Sequence, residues 1–275
     1  MKRDAGKGRE KVEETIKALE EGVKDVFENG RYEEWLDVMS RFYSYSPRNC
    51  LLIMLQCPHA TKVASYRKWQ KEFNRHVRKG EKAIRILAPV PRRFKTKETD
   101  PKTGEEIETE HSWTDFRAVP VFDVSQTEGD ELPSLTSTLD GDMEGFEALR
   151  DRIAAATGAT VEFDAEITAN GSYNPADDTI RVKGGMGEEQ TIKTLLHEWA
   201  HALLHAEGAE HEGDARGAKE VQAEGAAYIA SKALGIDSED YSLGYVAGWG
   251  GDTKAVFEQM GVIRDTAVKM IDAIQ

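Results

Sequence analysis

The sequence predicts an α+β protein in two parts, and three observations predict it. Apolar residues recur at helical spacing in several stretches, whereas 83–88 and 116–124 alternate with the period of a strand. Ser125 to Asp142 is rich in Gly, Ser, Thr, Pro and acidic residues, the composition of a connection between units. Charge divides the same way: residues 1–97 hold 23 Lys+Arg against 13 Asp+Glu, and residues 98–275 hold 13 against 37. The net charge of −14 therefore hides a basic first part, which points to a polyanionic ligand, and an acidic second part. We expect a first domain over 1–128 of helices and a small sheet, an acidic linker over 129–142, and a second domain over 143–275.

In chain order, residues 1–12 read as a loose charged arm. Val12, Ile16, Leu19, Val23 and Phe27 predict a helix to Glu28, stopped by Asn29-Gly30. Helices follow over 33–43 and 49–56, the latter opened by Pro47 and closed before Pro58. The first part of the stretch from Lys62 reads as helical, and from Val77 onward a turn at Lys79-Gly80 feeds a strand over 83–88 that Pro89 and Pro91 end. Lys95 to His111 reads as a long exposed hairpin with its turn at 101–104, and Phe116 to Val124 as a strand burying Val119, Val121 and Val124. Past the linker come a helix over 143–156, a strand over 160–163, a turn at 174–178 and a short strand over 179–182. Three helices, over 188–207, 219–230 and 253–274, complete the second domain.

No apolar run is long enough to span a bilayer and the N-terminus lacks an apolar signal stretch, so a soluble, cytoplasmic protein is expected. Cys50 and Cys57 flank an apolar run and read as buried reduced thiols. Within 41–97, 15 basic residues face 2 acidic ones, and aromatic rings are interleaved among them. Cations neutralise phosphates and flat rings stack on unpaired bases, so single-stranded DNA suits this stretch better than duplex. The candidate contacts are Lys68, Arg75, Arg78, Lys79 and Lys82, with Tyr43, Tyr45 or Trp69 as stacking platforms.

The second part centres on His197-Glu198-Trp199-Ala200-His201. Ile192, Leu195, Leu196, Trp199, Ala202 and Leu203 keep a helical period around it. On a helix, His197 and His201 stand one turn apart and can grip one divalent ion, with Glu198 beside them as a general base for water. A catalytic ion takes a third protein ligand. Glu220 and Glu224 lie one turn apart on the next helix and can both face the first; His205 and His211 are rival ligands. The interval between His201 and Glu220 resembles that of the glutamate-zincin peptidases. That resemblance implies Glu220 as third ligand, Zn²⁺ as the ion with another divalent transition metal as alternative, and Glu224 as the carboxylate that orients a ligand histidine. Tyr241 or Tyr245 is a candidate oxyanion stabiliser.

Taken together, the chain resembles the ArdC-type antirestriction proteins of plasmids, phages and integrative elements. The resemblance runs through Tyr45-Ser46, Asn49-Cys50-Leu51-Leu52, Ala60-Thr61-Lys62-Val63-Ala64, Val77-Arg78-Lys79-Gly80-Glu81-Lys82, Ile86-Leu87-Ala88-Pro89 and Val121 to Thr127. It continues through Leu195-Leu196-His197-Glu198 with His201, Glu220-Val221-Gln222-Ala223-Glu224, and Tyr245-Val246-Ala247-Gly248-Trp249. It implies an N-terminal single-stranded-DNA-binding domain joined to a C-terminal zincin-like metallopeptidase domain with an unknown protein substrate. The chain departs from the family where Asn74 precedes Arg75-His76 in place of a Gly-Arg pair. Two other readings compete: a regulatory protease of the ImmA or IrrE kind that cuts a repressor, and a DNA-binding module whose metal is structural. An intact Glu198 favours catalysis, since a structural site needs no general base.

Overall fold

The computed structural model describes residues 2–99, 106–132, 143–236 and 252–275. It is a mixed helix and sheet protein. Helix α1 spans Lys2–Glu28, so the expected loose arm is helical; exposed i,i+4 pairs such as Arg9–Glu13 and Lys17–Glu21 support it. Helices α2 (Tyr32–Arg41) and α3 (Pro47–Gln56) follow, the latter capped by the Ser46 hydroxyl with Pro47 in its first turn. Then come β1 (Val63–Ala64), α4 (Tyr66–Glu72), β2 (Arg75–Val77), β3 (Ile84–Thr99), β4 (Glu106–Asp123) and β5 (Thr127–Gly129). Strands β1, β4 and β3 form one antiparallel sheet in that order, and β2 pairs with β5.

Strand β3 does not stop at Pro89 and Pro91 as expected; it pairs with β4 from Ile84↔Val121 to Thr99↔Glu106. The reason is its edge position. Arg85 N–H donates to Gln56 Oε1 and Leu87 N–H to Asn49 Oδ1, both at 2.9 Å, so these odd-numbered residues direct their amides away from β4. Pro89 and Pro91 continue the same parity, where the ladder requires no N–H. Asn49 and Gln56 also donate from their amide nitrogens to the carbonyls of Leu87 and Arg85. Two side chains of α3 thus act as a substitute neighbouring strand. The expected turn at 101–104 lies outside the described residues.

Asp123 closes this part. Its carboxylate accepts from the amides of Thr61, Lys62 and Ser125 at 2.9–3.1 Å, while Gln126 accepts from the Asp123 amide and donates to Lys82 O. Arg75 is tied to Thr127, Gly129 and Asp130. A Cβ at Gly129 would lie 2.5 Å from Asn74 O, so the β2–β5 pair needs glycine there. Asn74 sits at φ 49°, a left-handed conformation that asparagine tolerates almost as glycine does, so the departure from the Gly-Arg pair leaves the turn intact.

In the second part, α5 (Met143–Thr157) precedes β6 (Thr160–Asp164), β7 (Gly171–Asn174) and β8 (Thr179–Lys183), arranged β6-β8-β7 with β6 parallel and β7 antiparallel to β8. Helix α6 (Glu188–His205) packs on β7 and β8, α7 (Arg216–Ala233) packs on α6, and α8 (Thr253–Ile274) packs on α7. Residues 133–142, most of the expected linker, lie outside the described residues.

Two apolar cores meet along α7 and α8. The first joins Leu19, Val23, Trp35, Leu36, Met39, Ile53 and Ile84 to Tyr228, Ile229, Val256, Phe257 and Met260. The second joins Ile153, Ile180, Val182, Leu195, Leu196 and Trp199 to Ala223, Ala226, Ala227, Met270 and Ile271. Tyr43 packs against both, and Tyr228 Oη donates to Asp37 of α2 at 2.6 Å. Cys50 and Cys57 are free thiols and buried. No helix among the described residues is long and apolar enough to cross a membrane.

Burial alone would push the Asp123 pKa up, but the hydrogen bonds from Ser125, Lys62 and Thr61 outweigh it and hold the carboxyl below its ordinary value. Its stabilising contribution is therefore present above the unfolded pKa and is lost as pH falls through the lower folded value. Asp123→Asn should destabilise the chain by about 1–3 kcal/mol, read as a lowered Tm at pH 7. The gap between wild type and variant should narrow below about pH 4, near the unfolded carboxyl pKa. A gap independent of pH would refute this role.

Candidate metal centre

Helix α6 presents His197 and His201 on one face, and α7 crosses it with Glu220 and Glu224. Buried Leu195, Leu196 and Trp199 hold α6 down, while Ala223, Ala226 and Ala227 on α7 allow close approach. His197 Nε2 and His201 Nε2 lie 3.1 Å apart, and Glu220 Oε2 is 3.6 and 3.7 Å from them. Among the described residues, these three side chains bring their ligating atoms within 4.8 Å of one another. The sequence-predicted set is thus brought together.

The donor chemistry fits a divalent ion. Glu224 Oε2 sits 2.9 Å from His197 Nδ1, at ion-pair distance, where a carboxylate favours a proton on Nδ1. Nε2 of a neutral His197 is left bare and turned toward the common point. Burial lowers the His197 pKa, but Glu224, Glu198 and Glu220 outweigh it and raise it overall, so the centre attracts positive charge. Burial, with His197 and His205 adding, depresses His201 to about 3, which keeps that ring neutral. Two imidazole nitrogens and one carboxylate oxygen are the donors a divalent transition ion accepts.

Glu198 is buried beside this group. Burial raises its pKa to about 7, with Glu220 adding and His197 opposing. It faces a cleft of about 250 Å³ bounded by Asn170, Gly171, Gln190, Lys193 and Thr194. The strand beside the cleft is β7, an edge of its sheet, whereas β8 is central. A Cβ at Gly171 would lie 2.9 Å from Glu198 Oε1, so glycine lets β7 approach the metal helix. Strand β7 was invisible in the sequence because Gly-Ser-Tyr-Asn lacks an apolar alternation.

The rival ligands go elsewhere. His205 turns to His201 Nδ1 and Gln222, and His211 to Asp214. Tyr241 and Tyr245 lie outside the described residues. Gln222 escaped sequence reasoning; its one visible signal is its place between Glu220 and Glu224.

The DNA candidates divide. Trp69 is 0% exposed with its indole N–H on Phe122 O, so it is no stacking platform. Tyr43 and Tyr45 are half-buried against the core. The Arg75 guanidinium is used in holding β5, and Arg78 pairs with Glu81 at 2.8 Å. Lys68 pairs loosely with Glu72 at 3.6 Å. Lys79 and Lys82 stand exposed on the 78–82 turn, beside a cleft of about 660 Å³ that also takes in Gln56, His59 and Gln126. Exposed rings occur instead at Tyr66 (49%), Phe94 (46%) and Trp113 (51%).

The paired helices of this mixed helix and sheet body bring together two histidines and one carboxylate that could hold a metal ion. Residues 9–122 match the family model described as the N-terminal domain of anti-restriction factor ArdC. An uncharacterized protein of Bacillus anthracis is 28% identical over 282 residues, covering 88% of this chain and 47% of that protein. The chain thus spans about half the length of that curated relative. Two crystal structures of the antirestriction ArdC protein from the R388 plasmid share the fold. The metal-free one is 24% identical with a TM-score of 0.54 over 84% of this chain and 85% of that one. The Mn(II)-bound one is 20% identical with a TM-score of 0.58 over 94% and 97%.

Equilibrium dialysis against Mn²⁺ or Zn²⁺ should find one ion per chain and a loss of that ion in His201→Ala. At about 100-fold excess over Kd the ion should stabilise the fold by about 2.7 kcal/mol, reversed by chelator. Stoichiometric metal in His201→Ala would show the centre to be wrongly assigned.

Proposed function

We propose that this chain is an antirestriction-type protein that binds single-stranded DNA through residues 1–128. On the same reading, residues 143–275 form a zincin-like part that hydrolyses peptide bonds with zinc. The observation that supports the second activity best is the convergence of His197, His201 and Glu220 beside a buried Glu198. When bound, a divalent ion supplies Lewis acidity to water and to a peptide carbonyl. Glu198, with its pKa near neutrality, takes the proton from the attacking water and returns it to the leaving amine. Glu224 keeps His197 turned toward the centre. Edge strand β7 borders the cleft, and an extended peptide is the ligand shape that an edge strand accepts.

DNA binding is supported by the match of residues 9–122 to the ArdC N-terminal domain and by the basic excess in 41–97. Lys79 and Lys82 are exposed cations of the resembled Val-Arg-Lys-Gly-Glu-Lys turn, whose Arg78 pairs with Glu81, and Tyr66, Phe94 and Trp113 offer open rings. The acidic second part repels a strand and confines it to the first.

For the enzyme, a denatured protein pool incubated with the metal-loaded chain should acquire new N-termini by mass spectrometry. Glu198→Gln should keep the metal and lower cleavage by about 10²–10⁴-fold; equal cleavage would exclude Glu198 as the base, and no cleavage by wild type would exclude the peptidase. For DNA, anisotropy with a labelled oligonucleotide should show affinity falling steeply with salt. Lys79→Ala with Lys82→Ala should reduce the log–log salt slope by about 0.7 per lost phosphate contact. An unchanged slope would remove both lysines from the interface.

A further inference from the structure

Four polar contacts run away from the metal centre behind His201. His201 Nδ1 lies 2.9 Å from Nδ1 of His205, and His205 Nε2 lies 2.8 Å from Oε1 of Gln222. The Gln222 amide nitrogen donates to Asp214 Oδ2 at 2.8 Å and to Gln259 Oε1 at 2.7 Å. Asp214 also meets His211 Nδ1 at 3.1 Å, which anchors its outer side.

The chain has one consistent direction. A carboxylate accepts and cannot donate, so Asp214 takes a Gln222 N–H and turns the amide oxygen to His205. That oxygen can only receive a hydrogen, so His205 carries its proton on Nε2. The Nδ1 of neutral His205 is then an acceptor, and His201 must donate to it from Nδ1–H. Neutral His201 is left with a bare Nε2 facing His197 and Glu220. Flipping the Gln222 amide would set oxygen against the Asp214 carboxylate and N–H₂ against His205 Nε2–H. Gln222 is 0% exposed and His205 is buried, so bulk water has no ready access to replace these links.

We infer that Gln222, oriented by Asp214 and Gln259, is a positioning residue that acts through His205 to hold His201 in its metal-accepting tautomer. Without it, His201 is free to carry its proton on Nε2 and donate to His197, which closes the centre against an ion. The inference rests on the metal-centre reading above. It makes α7 the source of a ligand, Glu220, and of the groups that orient both histidines, Glu224 for His197 and Gln222 for His201.

The test uses the full chain. Long-range ¹H–¹⁵N spectra of the metal-free protein with labelled histidine should show His201 as the Nδ1–H tautomer, and Gln222→Leu should shift it toward Nε2–H. Competition with a chromophoric chelator should show Zn²⁺ and Mn²⁺ affinity falling about 10- to 100-fold in Gln222→Leu. The exchange Asp214→Asn with Gln222→Glu swaps amide and carboxylate but keeps the direction, and should retain both tautomer and affinity near wild type. An Nε2–H tautomer in wild type would overturn the inference, as would unchanged affinity and tautomer in folded Gln222→Leu. If that variant fails to fold, loss of the tautomer in the folded exchange variant overturns it instead. If wild type binds no ion, the metal-centre reading fails, while the tautomer result still decides the positioning role.

Discussion

The close packing of α6 against α7 is the constraint on which the rest depends. Three electron-pair donors from two helices must converge on one point, and side chains reach only a few ångströms beyond their backbones. The alanines of α7 supply the narrow separation, and the buried Leu195, Leu196 and Trp199 of α6 fix its rotation so that His197 and His201 face the crossing. A large residue at Ala223 or Ala226 would act on the centre through distance, without touching a ligand.

Much of this was legible in the sequence. His197, Glu198 and His201 declare themselves because a helix converts a four-residue interval into one face. Glu220 and Glu224 were legible as a pair, and the glutamate-zincin resemblance implied different tasks for them; at the crossing Glu220 lies near both Nε2 atoms, whereas Glu224 lies near His197 Nδ1. Gln222 was not legible, because its partners Asp214 and Gln259 lie 8 and 37 residues away and no local pattern couples them.

The first part shows where local rules yield to context. Prolines end strands in general, yet Pro89 and Pro91 lie within β3 because the side chains of Asn49 and Gln56 leave that edge with no further pairing to satisfy. Trp69 stands among lysines and arginines and reads as a base-stacking ring, but the same amphipathic turn buries it on Phe122. Composition suggests a ligand class without telling which ring is available. Arg75 makes the same point for charge: a guanidinium with five donors is as suited to tying down backbone carbonyls as to gripping phosphate.

Helix α7 serves two masters. One face lends carboxylates to the centre; another lends Tyr228 and Ile229 to the core of α1–α3, with the tyrosine hydroxyl on Asp37. Chains built on this fold therefore cannot trade the two halves freely. A donated C-terminal segment must carry surfaces that match the recipient's α2 and α3, or its histidines and glutamates arrive out of alignment. Natural chimaeras should be recoverable where both sides of that seam descend together, and the residues around Asp37 should change in step with α7.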